Sequence, residues 1–202
     1  MPDVRHGVRT LGRAFLVLVV PLLVGCGAAG GEDPGSAPTT EAASTGATLI
    51  TPDGAGDWTR VTTDAAQDNA EAYLIRAHED AEPGTTPLFA EYERDDGATM
   101  AFLGLNVDPT SAYGERLANA PEVEVDVALA DAGIEDRQAL DAGELGGALG
   151  CGTLPEEYQV DGLTCAWADD TTSAQVTLVV PRLDYEEAGM LTREFRDAVT
   201  DR

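Results

Sequence analysis

The most informative stretch of the sequence is residues 148–181, ALGCGTLPEEYQVDGLTCAWADDTTSAQVTLVVP. It contains two of the three cysteines, and glycine, proline and aspartate punctuate the thirteen residues between them, as is typical of a hairpin connection. The spacing is not C-x-x-C and no histidine lies nearby, which disfavours the alternatives of a redox pair or a metal pair. We therefore predict a structural disulfide between Cys151 and Cys165, worth roughly 3 kcal/mol for a loop of about 15 residues.

Two strands are predicted on the carboxyl side of this loop. Residues 164–168 alternate so that Cys165 and Trp167 share one face, and residues 174–180 alternate with a polar opposite face. A period of two is the pattern of a half-buried strand. The polar run 169–172 between them predicts a turn, and Pro181 ends the second strand because proline cannot donate to a ladder.

The beginning of the chain predicts an export signal. Arginines precede an eleven-residue apolar run at residues 14–24, AFLVLVVPLLV, which is too short for a comfortable membrane span but suits a signal peptide. Residues 23–26, LVGC, resemble a bacterial lipobox. In that family the signal is cut before the cysteine, and the cysteine sulfur carries two acyl chains such as palmitate.

The lipobox resemblance implies a lipid-anchored protein on the extracytoplasmic face of the cell membrane. Residues 1–25 would be the signal peptide and Cys26 the lipidated residue, since two acyl chains hold a protein stably where one does not. An uncleaved N-terminal anchor is the alternative. Residues 26–46 are rich in Gly, Ala, Ser, Thr and Pro and predict a disordered tether, which leaves 47–202 as one extracytoplasmic domain.

The charge of the chain is strongly negative. All twelve basic residues are arginine, and removal of residues 1–25 takes away Asp3 and three arginines, leaving 36 acids against 9 arginines, a net charge of −27. Such a surface repels nucleic acid, so we predict no nucleic-acid partner. The acids are dispersed and form no calcium-binding loop, and we predict no metal and no cofactor.

Periodicity places the remaining elements. Residues 64–79 and 184–201 have the helical spacing of amphipathic helices, and residues 88–92 and 99–106 flank an Asp-Gly turn typical of a hairpin. The second strand of that hairpin, TMAFLGLN, is apolar on both faces, so we expect a central strand covered on both sides. Residues 123–129 alternate valine with acid and predict an edge strand. Residues 131–147 predict a loop.

Together these elements predict a single α+β domain. Its antiparallel sheet would carry two main helices, 64–79 and 184–201, on one face, and one disulfide would staple it.

The residues offer no local catalytic motif. There is no G-x-S-x-G, H-E-x-x-H, P-loop or dinucleotide fingerprint. His78, the only histidine outside the predicted signal peptide, lies near the end of a helix, where a cation favours the helix dipole. A serine site would have to combine His78 with Ser111 or Ser173, and no spacing suggests it. We predict no catalytic residues.

The cysteine motifs carry a second resemblance. Cys151-Gly152-Thr153 and residues 165–169, CAWAD, resemble the tail of exported actinobacterial proteins of unknown function. The similarity extends over roughly residues 85–200, and this chain departs from it at Ser173-Ala174. It implies an α+β domain and an exported location, and it brings no activity.

Three functional hypotheses remain. The preferred one is a non-enzymatic binding or interaction module at the cell envelope, with an envelope protein or a ligand as its partner. The second is a small envelope hydrolase, which requires His78 or an acid pair to line a pocket. The third is a regulatory or sensor partner of a membrane protein, which requires an exposed apolar patch near the tethered end.

Overall fold

An eight-stranded antiparallel sheet forms the centre of the protein in the computed structural model, which describes residues 46–202. Four α-helices of the described region accompany it, and a separate two-stranded ribbon joins the two ends of that region. In chain order the elements are β1 (Thr48–Leu49), β2 (Gly54–Ala55), β3 (Trp58–Arg60), α1 (Asp64–Asp80), β4 (Thr85–Glu93), β5 (Thr99–Val107), α2 (Ala112–Asn119), α3 (Pro121–Asp131), β6 (Arg137–Leu140), β7 (Ala148–Thr153), β8 (Leu163–Ala168), β9 (Thr172–Val179), α4 (Tyr185–Val199) and β10 (Thr200–Asp201).

The strand order in the sheet is β2-β3-β4-β5-β9-β8-β7-β6, with every neighbouring pair antiparallel. The predicted hairpins are present as β4–β5, β7–β8 and β8–β9. Cys151 and Cys165 lie directly opposite each other in the β7–β8 register and form a disulfide. The predicted α+β class, the antiparallel sheet and the disulfide are therefore confirmed.

The face of the sheet that α4 covers holds the aromatic part of the core. Phe102 stacks on Trp167 with ring centroids 6.0 Å apart, and Phe195 of α4 meets Phe102 edge-on at 5.3 Å. Tyr92 completes the group by an edge contact with Phe195 at 5.1 Å. All four side chains are buried, and Cys151 and Cys165 belong to the same cluster. The disulfide is thus part of the core on this face.

The opposite face is covered in part by α2 and α3. Val125 and Leu129 of α3 pack against Gly150 of β7, and Leu117 of α2 belongs to the same apolar cluster. A Cβ atom at Gly152 would lie 2.1 Å from Cγ2 of Ile134, and one at Gly150 would lie 3.0 Å from Val125. Gly150 therefore allows α3 to approach the sheet closely, and Gly152 does the same for the segment that follows α3.

The helices predicted at 64–79 and 184–201 are present as α1 and α4, but they do not share a face. Tyr73 of α1 packs on Phe89 of β4, whereas Phe195 of α4 packs on Tyr92 of the same strand. Positions 89 and 92 of a strand point to opposite faces. The prediction of two helices on one face is therefore wrong, because periodicity defines an apolar stripe without saying which face of the sheet receives it.

The prediction of an edge strand at residues 123–129 is also wrong, because these residues belong to α3. Val125 and Leu129 are four residues apart, so they share one helix face and are buried, while Val123 and Val127 are exposed. Pro121 at the first turn and acids in that turn favour a helix start. The alternating valines fit both periods, and packing against the glycines of β7 selects the helix.

Three further expectations meet a mixed outcome. The loop predicted at 131–147 contains an edge strand, β6, which pairs with β7. Residues 47–50, an apolar run that also favours a short strand, contain β1, which pairs with β10 rather than joining the main sheet. Cys26, the signal peptide predicted at 1–25 and all but the last residue of the tether predicted at 26–46 lie outside the described residues.

Candidate binding cleft

A cleft lies on the sheet between α1 and α3. On this face α1 packs mainly on β4 and α3 packs mainly on β7 and β8 with a minor contact to β9, so that most of the surface of the middle strands β5 and β9 has no helix of the described region over it. The floor of the cleft is formed by Leu103 and Leu105 of β5 and by Ser173 and Gln175 of β9. Strand β5 is central, as predicted, but its second face is left partly open, which corrects the expectation that both faces are covered.

The walls of the cleft combine apolar and acidic side chains. Tyr73 and Ala77 line it from α1, and Val127 lines it from α3 together with Glu124 and Asp131. Two adjoining compartments of about 380 and 780 Å³ share most of these residues. Volumes of this size are typical of ligand sites, and the apolar floor with a few polar groups is the usual lining of such sites.

Local sequence explains the position of the α1 wall. Thr63 caps the helix by accepting a hydrogen bond from the Ala66 backbone N–H at 3.3 Å. From Ala66 the inner face continues through Ala70 and Ala77, with Tyr73 and Leu74 as its two large side chains. The Tyr73 ring lies 5.0 Å from that of Phe89. Burial raises the pKa of Tyr73, so its hydroxyl is a neutral hydrogen-bonding group at the cleft wall.

Paired polar groups close one end of the cleft. The Tyr113 hydroxyl donates a hydrogen bond to the Glu124 carboxylate, and burial and that carboxylate raise the pKa of Tyr113, an effect that the nearby Ser173 hydroxyl only partly offsets. The Arg116 guanidinium lies 5.0 Å from the centre of the Tyr113 ring and bonds Glu82 at 2.5 Å. This end therefore presents a neutral phenol, a carboxylate and a cation in fixed positions.

The chain enters the domain beside this end of the cleft. The Asn106 side chain binds the backbone of Leu49 twice, accepting from its N–H at 2.6 Å and donating to its carbonyl at 3.0 Å. The Thr171 hydroxyl donates to the Ala47 carbonyl at 3.1 Å. A separate depression of about 450 Å³ is lined by Ala47 and Thr85, and Thr85 also lines the main cleft. The segment that leads back to Cys26 is thereby held at the end of the sheet where Thr85 lies, with Leu49 in the core of the α4 face.

The residues that the sequence singled out are dispersed. Cys151 and Cys165 lie in the aromatic core, on the face opposite the cleft. His78 is exposed and does not line the cleft, Ser111 caps α2 by accepting from the Gly114 N–H, and Ser173 is buried in the cleft floor. The structure therefore does not bring His78 together with Ser173 at the cleft.

Asp169 of the CAWAD motif has a structural place. It accepts hydrogen bonds from the backbone N–H groups of Thr171 at 2.9 Å and Thr172 at 2.7 Å, and its carboxylate pairs with Arg196. It organises the turn between β8 and β9, as the polar run 169–172 predicted. No group of three or more His, Cys, Asp or Glu side chains within residues 46–202 is arranged to hold a metal ion.

Sequence reasoning missed the cleft. The signal that could have found it is a strand that is apolar on both faces, residues 99–106, next to a strand, β9, that has one polar face.

No helix in the described part of the chain has the length and apolar character needed to cross a bilayer. No protein-family model, curated protein or solved structure matches this chain.

Proposed function

We propose that this protein is a lipid-anchored binding module of the cell envelope, held on the extracytoplasmic face of the membrane by acyl chains on Cys26. The observation that carries the proposal is the cleft, in which apolar side chains of the central strand β5 remain partly exposed between two helices. A contiguous apolar surface in a concave site is characteristic of ligand or partner binding.

The groups in the cleft favour binding over hydrolysis. Tyr113 is hydrogen-bonded to Glu124, and Arg116 is hydrogen-bonded to Glu82. Polar groups fixed in this way can orient a bound molecule. Ser173 contributes a hydroxyl to the floor, but the exposed His78 lies outside the cleft. The hydrolase hypothesis can also rest on an acid pair. Glu124 and Asp131 both line the cleft, but the Glu124 carboxylate already accepts a hydrogen bond from the Tyr113 hydroxyl, which favours a binding role.

A regulatory or sensor role toward a membrane protein is the second candidate, and the attachment of the chain favours it. The N-terminal segment joins the domain beside Thr85, at the Glu82–Arg116 end of the cleft. About twenty residues separate Cys26 from this point. The tether predicted for this segment would span roughly 25 Å root-mean-square and would keep the cleft within reach of extracytoplasmic parts of a neighbouring membrane protein.

The anchor is tested by the intact mass of the protein extracted from membranes. We expect the mass of Cys26–Arg202 plus acyl chains, and a Cys26→Ala variant that is released to the medium or retained as the uncleaved precursor. Unacylated protein of the same membrane location would contradict the lipid anchor.

The cleft is tested by photo-crosslinking in intact cells. A benzophenone amino acid replaces Val127, which lines the cleft and is 46% exposed, or Ile75, which is 54% exposed on α1 and does not line it. Both positions are exposed and apolar, so the second is a matched control. We expect a discrete adduct from position 127 alone. Equal adducts from both positions, or none from position 127, would contradict a binding role for the cleft.

A further inference from the structure

The spacing of the elements around the cleft indicates the shape of its occupant. Three strand intervals separate β4, under α1, from β8, and a fourth leads to β7, under α3. At about 4.8 Å per interval the two helix positions are about 14–19 Å apart along the sheet. Packed helices lie about 8–10 Å apart. The gap is therefore close to the width that one additional helix would fill.

The surface in this gap suits a helix that buries an apolar face. Leu103 and Leu105 form the floor, and Val123 and Val127 stand exposed along α3. A helix lying on β5 and β9 would contact this floor from above and the wall residue Tyr73 from the side. An amphipathic helix in an apolar groove is a common mode of peptide recognition.

The charged side chains at the rim of the cleft indicate which charge the flanks of that helix should carry. Asp80 on α1 and Asp131 on α3 face the cleft from opposite walls, and neither forms an ion pair within residues 46–202. Glu124 adds a third carboxylate, whereas Arg116 is neutralised by Glu82 and Arg76 is the remaining cation. A second copy of this acidic chain would be repelled from this rim.

We propose that the cleft binds an amphipathic helix of a partner protein, with an apolar face and with lysine or arginine along its flanks. This inference rests on the proposed function of the cleft and names its partner class. The helix completes the layer between α1 and α3, and its basic flanks pair with Asp80 on one side and Asp131 on the other.

The probe is a designed 18-residue helix with leucines on one face and arginines on both flanks, and its twin carries glutamates in place of the arginines. Binding is measured by fluorescence anisotropy to the unacylated chain of residues 26–202 with Cys26→Ser. We expect the basic helix to bind at micromolar concentration and the acidic twin at least about tenfold more weakly.

Two variants of the protein locate the binding. Val127→Asp places a charge at an exposed position of the α3 wall and should abolish binding of the basic helix. The double variant Asp80→Lys with Asp131→Lys should reverse the preference so that the acidic twin binds better. Asp68→Lys with Glu79→Lys changes the net charge equally on α1, outside the cleft, and should leave the preference for the basic helix intact.

The outcomes separate this inference from the proposed function. Nile red, a neutral apolar dye, reports whether the cleft binds anything: its fluorescence should rise with the parent chain and not with Val127→Asp. If the dye binds in this way and neither helix does, the helix inference is overturned while the binding cleft stands. If the control double variant reverses the charge preference as strongly as the cleft variant, the rim has no specific role and the inference fails. If neither dye nor helix binds, both proposals fail.

Discussion

Arg196 of α4 and Asp169 of the β8–β9 turn form a buried ion pair, with Nη2 and Oδ2 2.8 Å apart. The arginine side chain is 2% exposed and the aspartate 14%. Arg196 also donates to the backbone carbonyls of Ala142 at 3.4 Å and Gly146 at 2.9 Å. One guanidinium therefore joins the last helix, the turn of the CAWAD motif and the connection that leads into β7.

Removal of the charge on Asp169 is expected to destabilise the fold strongly. Asp169→Asn leaves the buried Arg196 charge with two backbone carbonyls but without a counter-charge, and breaking a buried pair in this way typically costs about 3–5 kcal/mol. The matched control is Asp197→Asn, because the Asp197–Arg202 pair is about 60% exposed on both sides and spans 3.3 Å. Exposed pairs contribute about 1 kcal/mol or less. Urea unfolding measures both, and equal losses in the two variants would contradict a special role for the buried pair.

Loss of the disulfide between Cys151 and Cys165 is expected to lower the free energy of unfolding. Cys151 and Cys165 are 14 residues apart in sequence and fully buried. The double variant with alanine at both positions should lose about 2–5 kcal/mol in free energy of unfolding. Reductant should produce a loss in the parent protein and none in the double variant. If the parent protein has the same free energy of unfolding with and without reductant, the bond does not form.

A substitution at Gly152 tests the close approach to β7 of the segment that follows α3. Gly152→Ala places a methyl group against Ile134, and overpacking of a close contact typically costs about 1–3 kcal/mol. Ile134→Ala removes the opposing side chain and creates a cavity of its own. In the double variant the two changes should partly offset each other, so that its loss is smaller than the sum of the single losses. Additive losses, measured by urea unfolding, would contradict direct contact.

Local patterns were sufficient to predict the parts of the fold that have local causes. The disulfide follows from two cysteines on neighbouring strands, the hairpins from their turn residues, and α1 and α4 from an apolar stripe at helical spacing. The pattern at 123–129 satisfied both the strand and the helix periods. Its outcome depends on Gly150, which lies more than twenty residues away and leaves room for α3 against the sheet.

The cleft and the ion pair could not be predicted because both depend on which elements meet in space. The sequence shows that Leu103 and Leu105 lie on the second apolar face of a strand, but not that α1 and α3 stop short of covering them. It likewise shows Asp169 in a turn, but not the Arg196 guanidinium from a helix 27 residues later. Sheet order and helix placement supply this information.

The alkaline limit of stability is expected to depend on Tyr92. Burial raises the pKa of Tyr92 to about 12, an effect that Arg60 reduces and Asp53 increases. An unfolded tyrosine titrates near pH 10, so the unfolded chain loses this proton first as the pH rises. The stabilisation is complete below pH 10 and is lost progressively toward pH 12, by at most about 3 kcal/mol.

Tyr92→Phe should flatten this decline. At neutral pH the variant loses the hydrogen bond that the hydroxyl donates to the Pro52 carbonyl at 3.2 Å, which contributes about 1 kcal/mol. Between pH 9 and 11.5 its urea midpoint should fall less than that of the parent chain, although the buried Tyr113, whose pKa is also raised, leaves a residual slope. Tyr158→Phe, at a position 54% exposed, serves as the control and should retain the parent profile. Parallel profiles for Tyr92→Phe and the parent chain would show that Tyr92 does not govern alkaline unfolding.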